Sequence, residues 1–146
     1  MSKHLDIRYT ILQTIIWFDL FDKAVTLNEL CNFIFKEKKE KKDILRALRK
    51  MVGKQLGRKG DVYFIKGREH LIDIRKERLK ISEIKYKNVK KYLRILKALP
   101  FVRGIAITQN LAIDNAKKTS DVDLLIITSK NKIFIARFCV NIFLDI

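Results

Sequence analysis

A chain of 146 residues that is 48% hydrophobic and 33% charged has room to bury one core or two small ones. No stretch approaches the roughly 18 uncharged apolar residues a membrane span needs, and residues 1–8 lack a signal-peptide pattern, so the expected setting is the cytoplasm, with no membrane partner. The net charge of +16 suits attraction to polyanions such as nucleic acid or a triphosphate, and a lysine-rich composition spread along the chain yields the same total without any partner.

Residues 5–21 carry apolar side chains at helical spacing, with Ile7, Ile11, Ile15 and Phe18 on one stripe and Leu12 and Ile16 widening it. Asp22 and Lys23 interrupt the pattern. Thr26-Leu-Asn-Glu29 then reads as a capping box that starts a second helix running to about Phe35. The charge run of residues 36–42, KEKKEKK, has nothing to bury and reads as a solvated loop and helix entry. A third helix follows over residues 40–54, with Leu45, Leu48 and Val52 forming its apolar face, Ile44 and Met51 beside them, and Arg46, Arg49 and Lys50 projecting elsewhere. Gly57 and Gly60 bracket a turn before the β-branched and aromatic run Val62-Tyr-Phe-Ile65, which ends at Gly67. Three helices followed by a small hairpin is the order of a winged helix.

Residues 68–98 form a long basic helical stretch, with Ser82 as a point of interruption. Pro100, the single proline, ends it near Leu99, because the residue before a proline is biased away from helix. The period then shortens: residues 101–108 and 121–128 read as buried strands, separated by a short helix and a turn. Residues 132–146 read as an amphipathic helix or a long apolar segment. Cys31 and Cys139 stand far apart in apolar stretches and read as reduced packing residues. His4 and His70 stand alone among charged neighbours and form no metal constellation. Asp145 is the only acid after Asp123, and its position suits a helix end better than catalysis.

Asp121 and Asp123 are two apart, so in a strand they share a face, opposite to Val122, Leu124 and Ile126. Paired carboxylates repel unless a cation lies between them, and Mg²⁺ takes its oxygens from one or two carboxylates plus substrate phosphates. The same pattern also describes an acidic, solvent-facing strand start. The segment from Gly104 to Ile127, GIAITQNLAIDNAKKTSDVDLLII, resembles the nucleotidyltransferase superfamily typified by DNA polymerase beta. Its members place a strand, a Gly-Ser turn at a helix start, and a second strand opening on Asp-x-Asp. Ser120-Asp-Val-Asp-Leu-Leu-Ile-Ile-Thr128 is the most specific part. FDLFD at residues 18–22 and YFIKGRE at residues 63–69 are similar to bacterial nucleotidyltransferase-domain proteins that begin with a winged-helix-like region.

The resemblance implies an α+β chain: a winged-helix-like domain at 1–67, a helical connector at 68–99, and the first β-α-β part of a nucleotidyltransferase domain at 100–146. It implies that Asp121 and Asp123 are catalytic residues holding Mg²⁺ or Mn²⁺, and that Gln109, Asn110 and Ser120 contact a nucleoside triphosphate whose nucleotidyl group passes to an acceptor hydroxyl. Two departures temper the expected rate. Gln109-Asn110 stands where the family has Gly-Ser, crowding the approach of backbone to phosphate. No later strand supplies a third carboxylate, which reads as a truncated, degenerate or weakly active domain. The alternative expectation is a nucleic-acid-binding winged helix, its third helix in the major groove and Arg46, Arg49 and Lys50 reaching phosphates or base edges.

Overall fold

The structure, a computed structural model, describes residues 6–35 and 39–144. His4, residues 36–38 of the charge run and Asp145 lie outside the described residues. The architecture is mixed α and β with small antiparallel sheets. The chain divides into two compact units, residues 1–76 and 77–146.

The first unit begins with α1 (Ile7–Asp19), capped by the Asp6 carboxylate, which accepts from the Arg8 amide at 2.9 Å. Its buried stripe comprises Thr10, Ile11, Thr14, Ile15 and Phe18. Ile16, expected to widen that stripe, is 45% exposed, because the two threonines take the inner positions, where Thr14 satisfies its hydroxyl on the Thr10 carbonyl at 2.8 Å. After a two-residue strand β1 (Val25–Thr26), the capping box forms as the sequence predicts. The Glu29 amide donates to Thr26 Oγ1 at 3.2 Å and the Thr26 amide to Glu29 Oε2 at 2.7 Å. The helix it starts, α2 (Leu27–Phe33), stops two residues short of Phe35.

In α3 (Lys41–Met51) the buried residues are Ile44, Ala47, Leu48 and Met51. The expected seam of Leu45, Leu48 and Val52 is therefore rotated: Leu45 and Val52 are only half-buried, and Val52 already has extended backbone with ψ 135°. Strands β2 (Leu56–Lys59) and β3 (Val62–Ile65) pair in register, with Arg58 opposite Tyr63. The sheet order is β1-β3-β2, all antiparallel. Gly60, at φ +63°, makes the turn. Gly57, expected beside it in the turn, instead lies within β2 opposite Phe64. A Cβ there would meet the Phe64 ring at 2.2 Å, so the glycine makes space for an aromatic laid across its backbone.

The helix α4 (Leu71–Ala98) is continuous. Its first residues close the first unit, Leu71 and Ile72 packing with Ala24 and Phe64. Ser82, expected as an interruption, is fully buried in an unbroken helix. Termination near Pro100 occurs as predicted.

The second unit contains the rest of α4, then β4 (Val102–Ile107), α5 (Gln109–Ala112), β5 (Leu124–Thr128) and α6 (Ile133–Leu144). Strands β4 and β5 are antiparallel, with Ile105 opposite Ile126 and an irregularity between Val102 and Gly104. The buried residues of this unit include Val89, Leu96, Leu111, Ala116, Ala136 and Val140. Leu124 and Ile126 alternate with Leu125 and Ile127, which are more than half exposed. One face of the ribbon is thus covered and the other bare. Among the described residues, no helix is long and apolar enough to cross a membrane.

Candidate functional site

The Asp-x-Asp segment is positioned from below by backbone pairing. The Thr108 amide donates to the Asp123 carbonyl at 2.9 Å, and Thr108 Oγ1 reaches the same oxygen at 3.3 Å. The end of β4 and the start of α5 are therefore locked against Asp123. Both aspartates were expected inside the strand, yet the β4–β5 register begins at the pair Ile107 and Leu124. Asp121 and Asp123 occupy the approach to β5, with only the Asp123 carbonyl engaged by the end of β4. Asp121 is exposed and Asp123 half-buried. Among the described residues, neither carboxylate has a hydrogen-bond or ion-pair partner, so both retain full capacity to accept.

Gln109 opens α5 at φ +55°. That left-handed conformation is unfavourable for a residue with a Cβ by roughly 1–2 kcal/mol. It persists only where the surroundings over-determine it. Thr108 on Asp123 before the turn and the Asn115 amide on the Asn110 carbonyl at 2.8 Å after it supply that determination. The side chains of Gln109 and Asn110 are both exposed. Ser120 closes a turn: its Oγ accepts from the Lys117 amide at 3.0 Å, and its own amide donates to the Lys117 carbonyl at 3.1 Å. Its hydroxyl proton is left to donate.

The loop is held from its other side by residues that local sequence pattern does not single out. One face of α4 presents Arg78, Ser82, Lys85 and Tyr86, spaced four and then three or four apart. Arg78 Nη1 donates to Asn115 Oδ1 at 3.0 Å, the Ala116 amide donates to Ser82 Oγ at 3.2 Å, and Tyr86 Oη donates to the Leu111 carbonyl at 2.9 Å. Lys85 Nζ donates to the Lys118 and Ser120 carbonyls. Burial, assisted by the nearby Asp114 carboxylate, raises the Tyr86 phenol above its ordinary pKa and keeps it a donor. The available signal was polar residues recurring on the inward face of an otherwise amphipathic helix.

In the first unit, Arg46, Arg49 and Lys50 are all exposed on α3, Arg46 lying 3.7 Å from Asp43. Arg49 lines a cleft of about 320 Å³ with Leu45, Val52, Arg58 and Tyr63. The Arg58 guanidinium sits 5.5 Å from the Tyr63 ring centre. Cys31 and Cys139 are free thiols, both half-buried. Among the described residues, no group of three or more His, Cys, Asp or Glu is arranged to hold a metal ion. Set against known proteins, the chain matches no family model, no curated protein and no solved structure.

Proposed function

We propose that the second unit carries the β-α-β opening of a nucleotidyltransferase catalytic domain, with a winged helix as the first unit. In this reading the chain transfers a nucleotidyl group weakly, from a nucleoside triphosphate to an acceptor hydroxyl. The observation that carries the reading is the left-handed turn at Gln109, joined through Thr108 to the carbonyl of Asp123. A strand, a turn at a helix start and a second strand follow one another in the order of the resemblance, with Asp-x-Asp just before the second strand and not inside it. The turn keeps the backbone of a glycine although a glutamine stands there.

Asp121 and Asp123 fit a hard divalent cation, Mg²⁺ or Mn²⁺, since their oxygens are unengaged and lie close in sequence at one edge of the ribbon. When bound, such an ion neutralises phosphate charge and polarises the reacting oxygens. Asn110 and Ser120 offer side-chain donors to phosphate, and the exposed Gln109 side chain crowds the approach. With Asp121 and Asp123 the only carboxylates assigned to it, the ion relies on substrate oxygens to complete its shell, so metal and triphosphate should bind cooperatively. The test is a thermal shift with MnCl₂ and a non-hydrolysable triphosphate, alone and together. The wild type should respond most to the pair, and Asp121→Asn, Asp123→Asn should lose the response. An unchanged response in the double variant would overturn the assignment.

A second reading is favoured by Arg49 and Arg58, which face one cleft beside Tyr63. In it, α3 enters a nucleic-acid groove with Arg46, Arg49 and Lys50, and the β2–β3 hairpin lies against the backbone. Loss of duplex binding on neutralising those three residues supports it, and unchanged binding refutes it.

A further inference from the structure

From Lys80 onward α4 has two chemically distinct sides. Inward lie Ser82, Val89 and Leu96, all buried. Outward, at 3.6 residues per turn, Lys80, Lys87, Lys91 and Arg94 fall within about 60° of one another around the helix, with Lys90 and Lys97 on one flank. All six are exposed, and among the described residues none has a side-chain ion pair or hydrogen bond. Glu83 is the only acid from Arg78 to Ala98. The stripe extends about 25 Å at 1.5 Å per residue. Scattered lysines would be expected to alternate with acids and to find partners at neighbouring turns. Glu83 lies on the same side, between the turns of Lys80 and Lys87, and from Lys87 to Lys97 like charges stack with no acid among them, a mutual repulsion that a bound anion would relieve.

We propose that this outer face of α4 binds a nucleic-acid strand through its phosphates. The stripe shares no residue with Asp121, Asp123 or α3, so the inference stands apart from the readings above. A straight row of cations matches a polymer with one regularly spaced charge per nucleotide. On the opposite flank, Tyr92 is 53% exposed, and Ile84 and Ile95 lie beside it. A flat aromatic next to a cationic track is the arrangement on which unpaired bases stack, which favours a single strand. An anionic bilayer fits less well, because Ile84, Tyr92 and Ile95 form only a narrow exposed apolar strip beside the track, where an interfacial helix buries a broad apolar face.

The experiment is fluorescence anisotropy of the full chain with a labelled single-stranded oligonucleotide of about 20 nucleotides, over a range of salt. Six engaged phosphates at about 0.7 each give a slope of log K on log salt near −4. Lys87→Gln, Lys91→Gln, Arg94→Gln should make the slope shallower by about 2 and weaken binding at least about tenfold. The corresponding change at Arg46, Arg49 and Lys50 should leave the α4 contribution in place. Should the triple variant fail to fold by circular dichroism, Lys91→Gln and Arg94→Gln singly should each reduce the slope by about 0.7. Wild-type behaviour of these variants, loss confined to the α3 variant, or capture by phosphatidylserine vesicles without oligonucleotide binding would each overturn the proposal.

Discussion

Arg78 Nη1 donates to Oδ1 of Asn115 at 3.0 Å with both residues buried, Arg78 at 7% and Asn115 at 3% exposure. The bond ties α4 to the loop that leads into Asp121. A hydrogen bond to a charged group contributes about 1.5–3 kcal/mol, and a buried cation that loses one of its acceptors is destabilised. Asn115→Ala should therefore destabilise the chain by about 2–3 kcal/mol in urea unfolding. In an Arg78→Met background the same change should have little effect, since the buried charge is gone. Equal losses in the two backgrounds would show that the pair is not coupled.

Leu48 and Val52 separate the observed core of α3 from the expected one. Leu48 is 1% exposed, whereas Val52 is half-buried at the helix end. Leu48→Ala should cost about 2–5 kcal/mol. Val52→Ala should cost about 1 kcal/mol, as for an ordinary partly buried site. Chemical denaturation midpoints of the two variants check the order, and a reversal would mean that the helix face had been misassigned.

Gly57 lies under the Phe64 ring. An added methyl group has no room without displacing that aromatic from the core. Gly57→Ala should lower stability by about 1–3 kcal/mol, the usual range for overpacking. Adding Phe64→Leu should recover part of the loss. Calorimetry of the single and double variants distinguishes this steric effect from a backbone one, in which no recovery would occur.

Glu29 joins Lys23 Nζ at 2.7 Å and Arg75 Nη1 at 3.0 Å while also closing the capping box. Burial alone raises its carboxyl pKa, but Lys23, the Thr26 amide and Arg75 outweigh that effect and set it below its ordinary value of 4.5. A carboxylate with a depressed folded-state pKa contributes stability that is present above its unfolded pKa and lost as pH falls through the folded one. Stability should accordingly decline below about pH 4.5, and Glu29→Gln should be less stable at neutral pH with a flatter acid limb. Parallel acid limbs for the two proteins would contradict this.

Gln109 bears directly on the nucleotide reading. Gln109→Gly, Asn110→Ser should relieve the left-handed strain, clear the approach to the Asp121 segment and restore a hydroxyl donor. Calorimetric titration with a non-hydrolysable triphosphate and Mg²⁺ should then show several-fold tighter binding, each tenfold gain corresponding to about 1.4 kcal/mol. Binding unchanged by the pair of substitutions would separate this turn from triphosphate recognition.

Local chemistry was legible from the sequence alone. The capping box at Thr26 and Glu29, the end of α4 before Pro100 and the order of strand, short helix and strand after it depend on neighbours a few residues apart, and all appear in the fold. The existence of the Asp121-Val-Asp123 motif was equally legible. Long-range packing decided the rest. Whether Leu45 or Ile44 leads the buried face of α3 depends on which elements lie against it, and the same contest set Thr14 inside α1 and Ile16 outside. Gly57 looked like a turn residue because its partner Phe64 is fixed only by the register of β2 with β3. Ser82 looked like an interruption because its acceptor role needs the amide of Ala116, thirty-four residues away. The same distance in sequence hid the α4 clamp on the loop before Asp121. A side chain's type states what bonds it can make, and only the tertiary fold supplies the partner.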